Sequence, residues 1–131
     1  YGNNSYNNGS GGSNNLGAGL LAQRIVYFDY DQATIKPQYM AVLDAHANYL
    51  RSHPNAQIRL EGHADDRGSR EYNLALSERR SRTVRDYMAV KGGSGSQMNT
   101  VGYGEEMPVK FGEDESSWAQ NRRVEIKYTG E

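Results

Sequence analysis

The chain has 131 residues, 36% of them hydrophobic, with 15 basic and 16 acidic side chains and a formal net charge of −1, a length that suits one domain. That balance excludes a bulk electrostatic footprint for nucleic acid or an anionic membrane, so a charged partner has to be met by a local arrangement of charges. With no cysteine, a disulfide framework, thiol catalysis and the usual ligands of structural zinc are also excluded.

Residues 1–23 open with YGNNSYNNGSGGSNN and read as a disordered Gly/Asn/Ser-rich linker, because they bury too little apolar surface to offset their conformational entropy. No secretory signal pattern is visible at Tyr1, and no apolar run approaches the roughly 20 residues that cross a bilayer. A folded domain is expected over 24–131. Its first strand covers Ile25, Val26, Tyr27 and Phe28, all β-branched or aromatic. Pro37 suits the first turn of a helix, and Met40, Leu43, Ala47 and Leu50 then mark one helical face. Pro54 disfavours helical backbone at His53 and ends it.

From Gln57 to Gly62 polar and apolar residues alternate, which predicts a strand with one covered face. A polar loop through Asp65, Asp66 and Arg67 leads to a second helix, from about Glu71 to Val90, stopped by Gly92-Gly93. A third strand over Asn99–Tyr103, a long loop through Pro108 and Trp118, and a last strand over Arg122–Tyr128 complete the pattern. The order β-α-β-α-β-β predicts an α+β (or α/β) two-layer sandwich, a mixed sheet with both helices on one face. Right-handed crossovers make the first three strands parallel or mixed and set the last against them.

One position breaks the hydrophobic pattern. At 100° per residue, the arc centred on Val84 holds Ser77, Ser81 and Met88, and Arg80 falls inside it while Arg79 and Arg82 face solvent. A guanidinium against the sheet needs a partner, since an unpaired buried charge costs several kcal/mol. Asp65 and Asp66 are the candidates. Either an internal Arg–Asp pair staples loop to helix, or Asp65 and Arg80 border a pocket and offer opposite charges to a zwitterionic ligand. On the second reading, replacing either residue by alanine abolishes binding and leaves the fold cooperative.

Other signals are weaker. His46, His53 and His63 lack HExxH spacing and a clustered second ligand set, so no metal site is expected, and His63 is expected to hydrogen-bond within its loop. Asp29-Tyr30-Asp31 lacks the glycine and glutamate of a calcium loop. Ser77 has no GxSxG context. Trp118 and the tyrosines suit packing or rim positions, with stacking on sugars as the alternative.

Gly62-His63-Ala64-Asp65, Arg67-Gly68, Tyr72-Asn73, Leu76-Ser77 and Arg79-Arg80, followed by Asn121-Arg122-Arg123-Val124, resemble the signature of OmpA-like peptidoglycan-binding domains. Tyr27-Phe28-Asp29, Asp44-Ala45-His46-Ala47, Glu61-Gly62-His63-Ala64-Asp65 and Tyr103-Gly104-Glu105-Glu106 are most similar to the lipid-anchored, peptidoglycan-associated branch of that family. The likeness runs from Arg24 to Tyr128. It implies an OmpA C-terminal-like fold without enzymatic activity, cofactor or nucleic-acid partner. It implies noncovalent binding of the diaminopimelate-containing peptide stem of peptidoglycan, with Asp65 and Arg80 meeting that residue's free ammonium and carboxylate. Phe28, Asp29, Asn73 and Arg123 match further positions near the groove. The resemblance also implies a tether between outer membrane and wall, placed on the periplasmic side by an N-terminal lipid anchor, within the Tol-Pal envelope system and with TolB and other Tol proteins as partners. The cysteine that would carry such a lipid is absent from this chain, and the linker reads as the segment between anchor and domain. The alternative is a protein-interaction module whose main partner is TolB or another Tol component.

Overall fold

Four strands form, β1 (Ile25–Tyr27), β2 (Ile58–Gly62), β3 (Met98–Gly102) and β4 (Arg123–Tyr128), with aliphatic and charged residues alternating in β2 and β4. In the computed structural model, which describes residues 19–130, they form one sheet in the order β1-β4-β2-β3. The last strand lies inside the sheet, antiparallel to both β1 and β2, while β2 and β3 are parallel. The first three strands therefore point one way and the fourth against them, as the crossovers require.

Pro37 opens a 3-10 turn, Pro37–Tyr39, that runs into helix α1 (Met40–Ser52). Helix α2 spans Arg70–Val90, and the Ser69 side chain caps it by accepting from the Tyr72 N–H. Leu43, Ala47 and Leu50 from α1 and Val84 and Met88 from α2 close over Val26, Ile58, Leu60, Val124 and Ile126 of the sheet. Both helices thus cover one face, and each fully buried aliphatic side chain contributes roughly 1.5–3 kcal/mol.

A pair of glycines sets how closely α2 approaches. Gly62 and Gly102 are register partners on β2 and β3. A Cβ on Gly62 would stand 2.0 Å from the Ser77 carbonyl oxygen, and one on Gly102 would stand 2.3 Å from Glu78 Cγ. The sheet has no side chain there, so the backbone of α2 rests on it and Arg80 reaches the end of β2.

Four details differ from the sequence-based expectation. The loop before β4 contains a short helix, α3 (Glu115–Asn121), capped by Asp114, whose carboxylate accepts from the Ser117 N–H. Met40 shares the apolar arc but is the first residue of α1, at the margin of the core, and is 37% exposed. Residues 1–18 of the expected linker lie outside the described residues, but 19–22 are helical. This segment is tied on where the Gln23 carbonyl accepts from His46. Finally, the helix-free face of the sheet is not bare. Glu61, His63 and Arg123 are buried on it, and the Met107 carbonyl of the crossing loop accepts from Arg123.

Two histidines are sealed inside. His46 is fully buried, with Nε2–H donating to the Gln23 carbonyl at 2.8 Å and Nδ1 accepting from the Tyr128 hydroxyl at 2.7 Å. Desolvation lowers its pKa despite the bond to Gln23. Desolvation, reinforced by the charge of Arg123, pushes the His63 pKa down to about 4. Below the ordinary value near 6.5 the unfolded chain takes up protons that the folded chain refuses, so stability falls with pH until the folded pKa is passed. Between pH 7 and pH 5, above the main carboxylate range, His63 alone should cost about 2 kcal/mol, with His46 adding in the same direction. Urea midpoints at pH 7, 6 and 5 measure this, and a flat profile would mean that neither imidazole is held neutral.

Candidate ligand site

The loop after β1, the loop after β2 and the first turns of α2 meet around a cavity of about 180 Å³. Asp65, Asn73 and Arg80 all line it, together with Tyr30, Asp31, Arg67 and Tyr72. Three of the sequence-derived site residues are therefore brought to one place. Tyr72 and Asp31 form its outer rim, and the Tyr72 hydroxyl donates to the Asp31 carboxylate across it.

Arg80 is 0% exposed. Its partners are not the acidic side chains expected from the sequence but three backbone carbonyls. Nε donates to Gln32 at 2.7 Å, Nη1 to His63 at 2.9 Å and Nη2 to Asp29 at 3.2 Å. The guanidinium also lies over the Phe28 ring, 5.3 Å from its centroid. Burial pushes its pKa down to about 10, with Asp65 opposing that shift, and it stays charged at neutral pH. Of its five N–H groups three are used, which leaves one on each terminal nitrogen for a fork-like contact.

Asp65 is 5% exposed and is held by Arg67 instead. The Arg67 backbone N–H and Nε reach Oδ1 at 3.0 and 3.3 Å, and Nη2 reaches Oδ2 at 2.8 Å. Arg122 stands 3.7 Å from Oδ2. Burial alone would raise the Asp65 carboxyl, but the hydrogen bonds and charge of Arg67, with the charge of Arg122, outweigh it and hold the group ionised below its usual range. Arg67 is itself sandwiched between Tyr30 and Trp118, 4.1 and 3.9 Å from their ring centroids. Trp118 is fixed in turn by Nε1 donating to Asp66 at 3.0 Å. Sequence reasoning missed Arg67 and this aromatic clamp, whose members come from two loops and helix α3.

The remaining expected groove residues divide. Asn73 lines the cavity and donates from Nδ2 to Glu105 at 2.7 Å. Phe28 is a buried support beneath Arg80, and Asp29 serves through its carbonyl while its carboxylate pairs with Lys36 at 3.1 Å. Arg123 is not among the residues that line this cavity. Alternation along β4 turns Val124 and Ile126 to the helices and therefore Arg123 to the opposite face, where it pairs with Glu125 at 2.6 Å.

Because the loop after β1 and the end of β2 both bond to Arg80, its removal costs stability even where the fold stays cooperative. Arg80→Ala should leave the His63 and Gln32 carbonyls without this donor, while Asp29 keeps the Gln32 N–H, and should lower stability by about 2–3 kcal/mol. Arg79→Ala, one position away on the exposed side of α2, should change it by less than about 0.5 kcal/mol. Equal urea midpoints for the two variants would contradict this assignment.

Comparison with known proteins agrees with this architecture. The model of the OmpA family matches residues 27–122. The peptidoglycan-associated lipoprotein of Pseudomonas putida is 50% identical over 110 residues, 84% of this chain and 66% of that protein. Its counterpart in Legionella pneumophila is 47% identical over 105 residues, 80% of this chain and 60% of that protein. The chain thus spans just under two thirds of the length of these curated relatives. The crystal structure of the peptidoglycan-associated lipoprotein from Burkholderia pseudomallei superposes with a TM-score of 0.83 at 47% identity, covering 84% of this chain and 93% of that one. The C-terminal domain of Helicobacter pylori MotB shares the fold at 19% identity, with a TM-score of 0.74 and coverage of 83% and 85%.

Proposed function

The chain belongs to the OmpA family, and from that premise we propose that it binds peptidoglycan noncovalently and tethers the outer membrane to the wall from the periplasmic side. The relatives named peptidoglycan-associated lipoprotein support this reading. The finer part concerns the ligand: the diaminopimelate residue of the peptide stem enters the cavity between the loops after β1 and β2. The observation that carries it is the joint presence of an ionised Asp65 and a buried, charged Arg80 on one cavity wall.

In this mechanism the ligand ammonium takes up the lone pairs of Asp65 that Arg67 leaves open or vacates. Arg67 stays nearby because Tyr30 and Trp118 hold its guanidinium through their ring faces. The ligand carboxylate accepts the two spare N–H groups of Arg80, and Asn73 supplies a side-chain amide beside them. Arg80 is sealed in the free protein, so the Tyr72–Asp31 contact at the rim opens as the carboxylate enters.

A second observation favours a protein partner as well. Met107, Val109 and Phe111 are 53%, 55% and 82% exposed on the loop between β3 and α3. Three exposed apolar side chains on one loop suit a protein partner, and TolB or another Tol component is the partner this reading assigns.

Calorimetric titration with soluble peptidoglycan precursors tests the first reading. Lysine stems lack the side-chain carboxylate that Arg80 would bind, so diaminopimelate stems should bind more tightly by roughly 1.5–3 kcal/mol, about ten- to a hundredfold. Asp65→Asn should weaken both stems. Equal affinity for the two would remove Arg80 from the site. Capture of TolB by Asp65→Asn, with no stem binding by the unmodified chain, would favour the protein-interaction module.

A further inference from the structure

Away from the cavity, on the helix-free face of the sheet, β2 presents Glu61 and then His63 just past its end, and the register sets Glu125 of β4 opposite Glu61. One oxygen of each carboxylate and one ring nitrogen of His63 lie within 4.8 Å of one another. His63 is 2% exposed, and neither Nδ1 nor Nε2 has a hydrogen-bond partner among the described residues. The expected loop hydrogen bond of its side chain is not made. The ring stacks on Tyr103 instead, with centroids 5.4 Å apart and planes 22° from parallel, which fixes its orientation. A buried polar atom left in that state costs about 1–3 kcal/mol, and such atoms call for an explanation.

We propose that Glu61, His63 and Glu125 form a binding site for a divalent transition-metal ion of the zinc class. One imidazole with two carboxylates is a donor set suited to zinc, with solvent free to complete the coordination. Bonds of about 2.0–2.2 Å place tetrahedral ligand atoms about 3.3–3.6 Å apart, so the three groups need to close by roughly 1 Å. The carboxylate chains allow this, as they move more easily than the stacked ring.

Three cations face the same carboxylates and set the limits of the site. Arg59 binds Glu61 at 2.6 Å, while Arg123 and Lys127 bind Glu125 at 2.6 and 3.2 Å. Arg59 and Lys127 have side chains 46% and 51% exposed and can turn to water when an ion enters. Arg123 is only 3% exposed and stays, held by the carbonyls of Met107 and Asn121. The ion therefore competes with Arg59 and Lys127, and removing either should favour it. An ion held here would pin the segment running from β2 into the ligand loop. The His63 carbonyl is one of the three that hold Arg80, and Asp65 follows two residues later. Sequence spacing did not reveal the site because Glu125 arrives from the far strand.

Calorimetry of the chelator-stripped full chain with zinc chloride, paired with imidazole nitrogen NMR, is the test. One ion per chain should bind, shifting the ring nitrogens of His63 and leaving those of His46 unchanged. His63→Gln and Glu125→Gln should each weaken uptake on the order of tenfold or more. Arg59→Ala should strengthen it severalfold, and exposed His53→Gln should leave it unchanged. Circular dichroism confirms folding of each variant, and Glu125→Gln decides if His63→Gln unfolds. Absence of stoichiometric uptake, or uptake unaffected by Glu125→Gln, overturns the proposal.

Discussion

A single buried guanidinium holds the ligand loops in place. Arg80 lies inside the helix–sheet interface, where an uncompensated charge would be prohibitive, and three carbonyl dipoles meet it in place of a carboxylate. Two of those carbonyls belong to the loop after β1 and the third to the end of β2, so one side chain on α2 fastens both walls of the cavity. The paired glycines on β2 and β3 are its precondition. Any side chain at Gly62 would collide with the backbone of α2 at Ser77 and lift the guanidinium from its acceptors.

With Arg80 satisfied by backbone, Asp65 is free to serve a different partner. Arg67 and Arg122 keep its carboxylate ionised although it is almost fully covered. The cationic ligand group proposed above would meet an anion that already has a cationic occupant, and the clamp of Tyr30 and Trp118 keeps that occupant within reach. On the proposed reading, binding is an exchange of cations on one carboxylate. Such an exchange costs less than stripping a solvated aspartate, and it disfavours uncharged ligands, which could not replace the lost ion pair.

The layers of the fold and the burial of Arg80 were legible in the sequence because both are periodic. Alternation in β2 and β4 names the core-facing residues, and the 100° rotation along α2 puts Arg80 beside Val84. What periodicity cannot show is how loops close on one another. The change of partner from Asp65 to three carbonyls, the sandwich around Arg67 and the displacement of Arg123 to the far face all depend on contacts between distant segments. Arg123 was nonetheless recoverable, since alternation with Val124 and Ile126 already turns it away from the helices. Helix α3 was missed for a different reason: its seven residues, ESSWAQN, carry too short an apolar pattern to read, and only the Asp114 cap signals its start.

The place of β4 in the sheet also bears on how the domain comes to exist. It is the final strand in chain order, yet it lies between β1 and β2 and is hydrogen-bonded to both. During synthesis β1 has no sheet partner until almost the whole domain has emerged. An incomplete chain is thus a parallel pair with a stray first strand. The sheet closes in one late event that joins the two ends of the domain, and such long-range closure places folding among the slower single domains. Loss of β4 would not trim an edge; it would remove the seam.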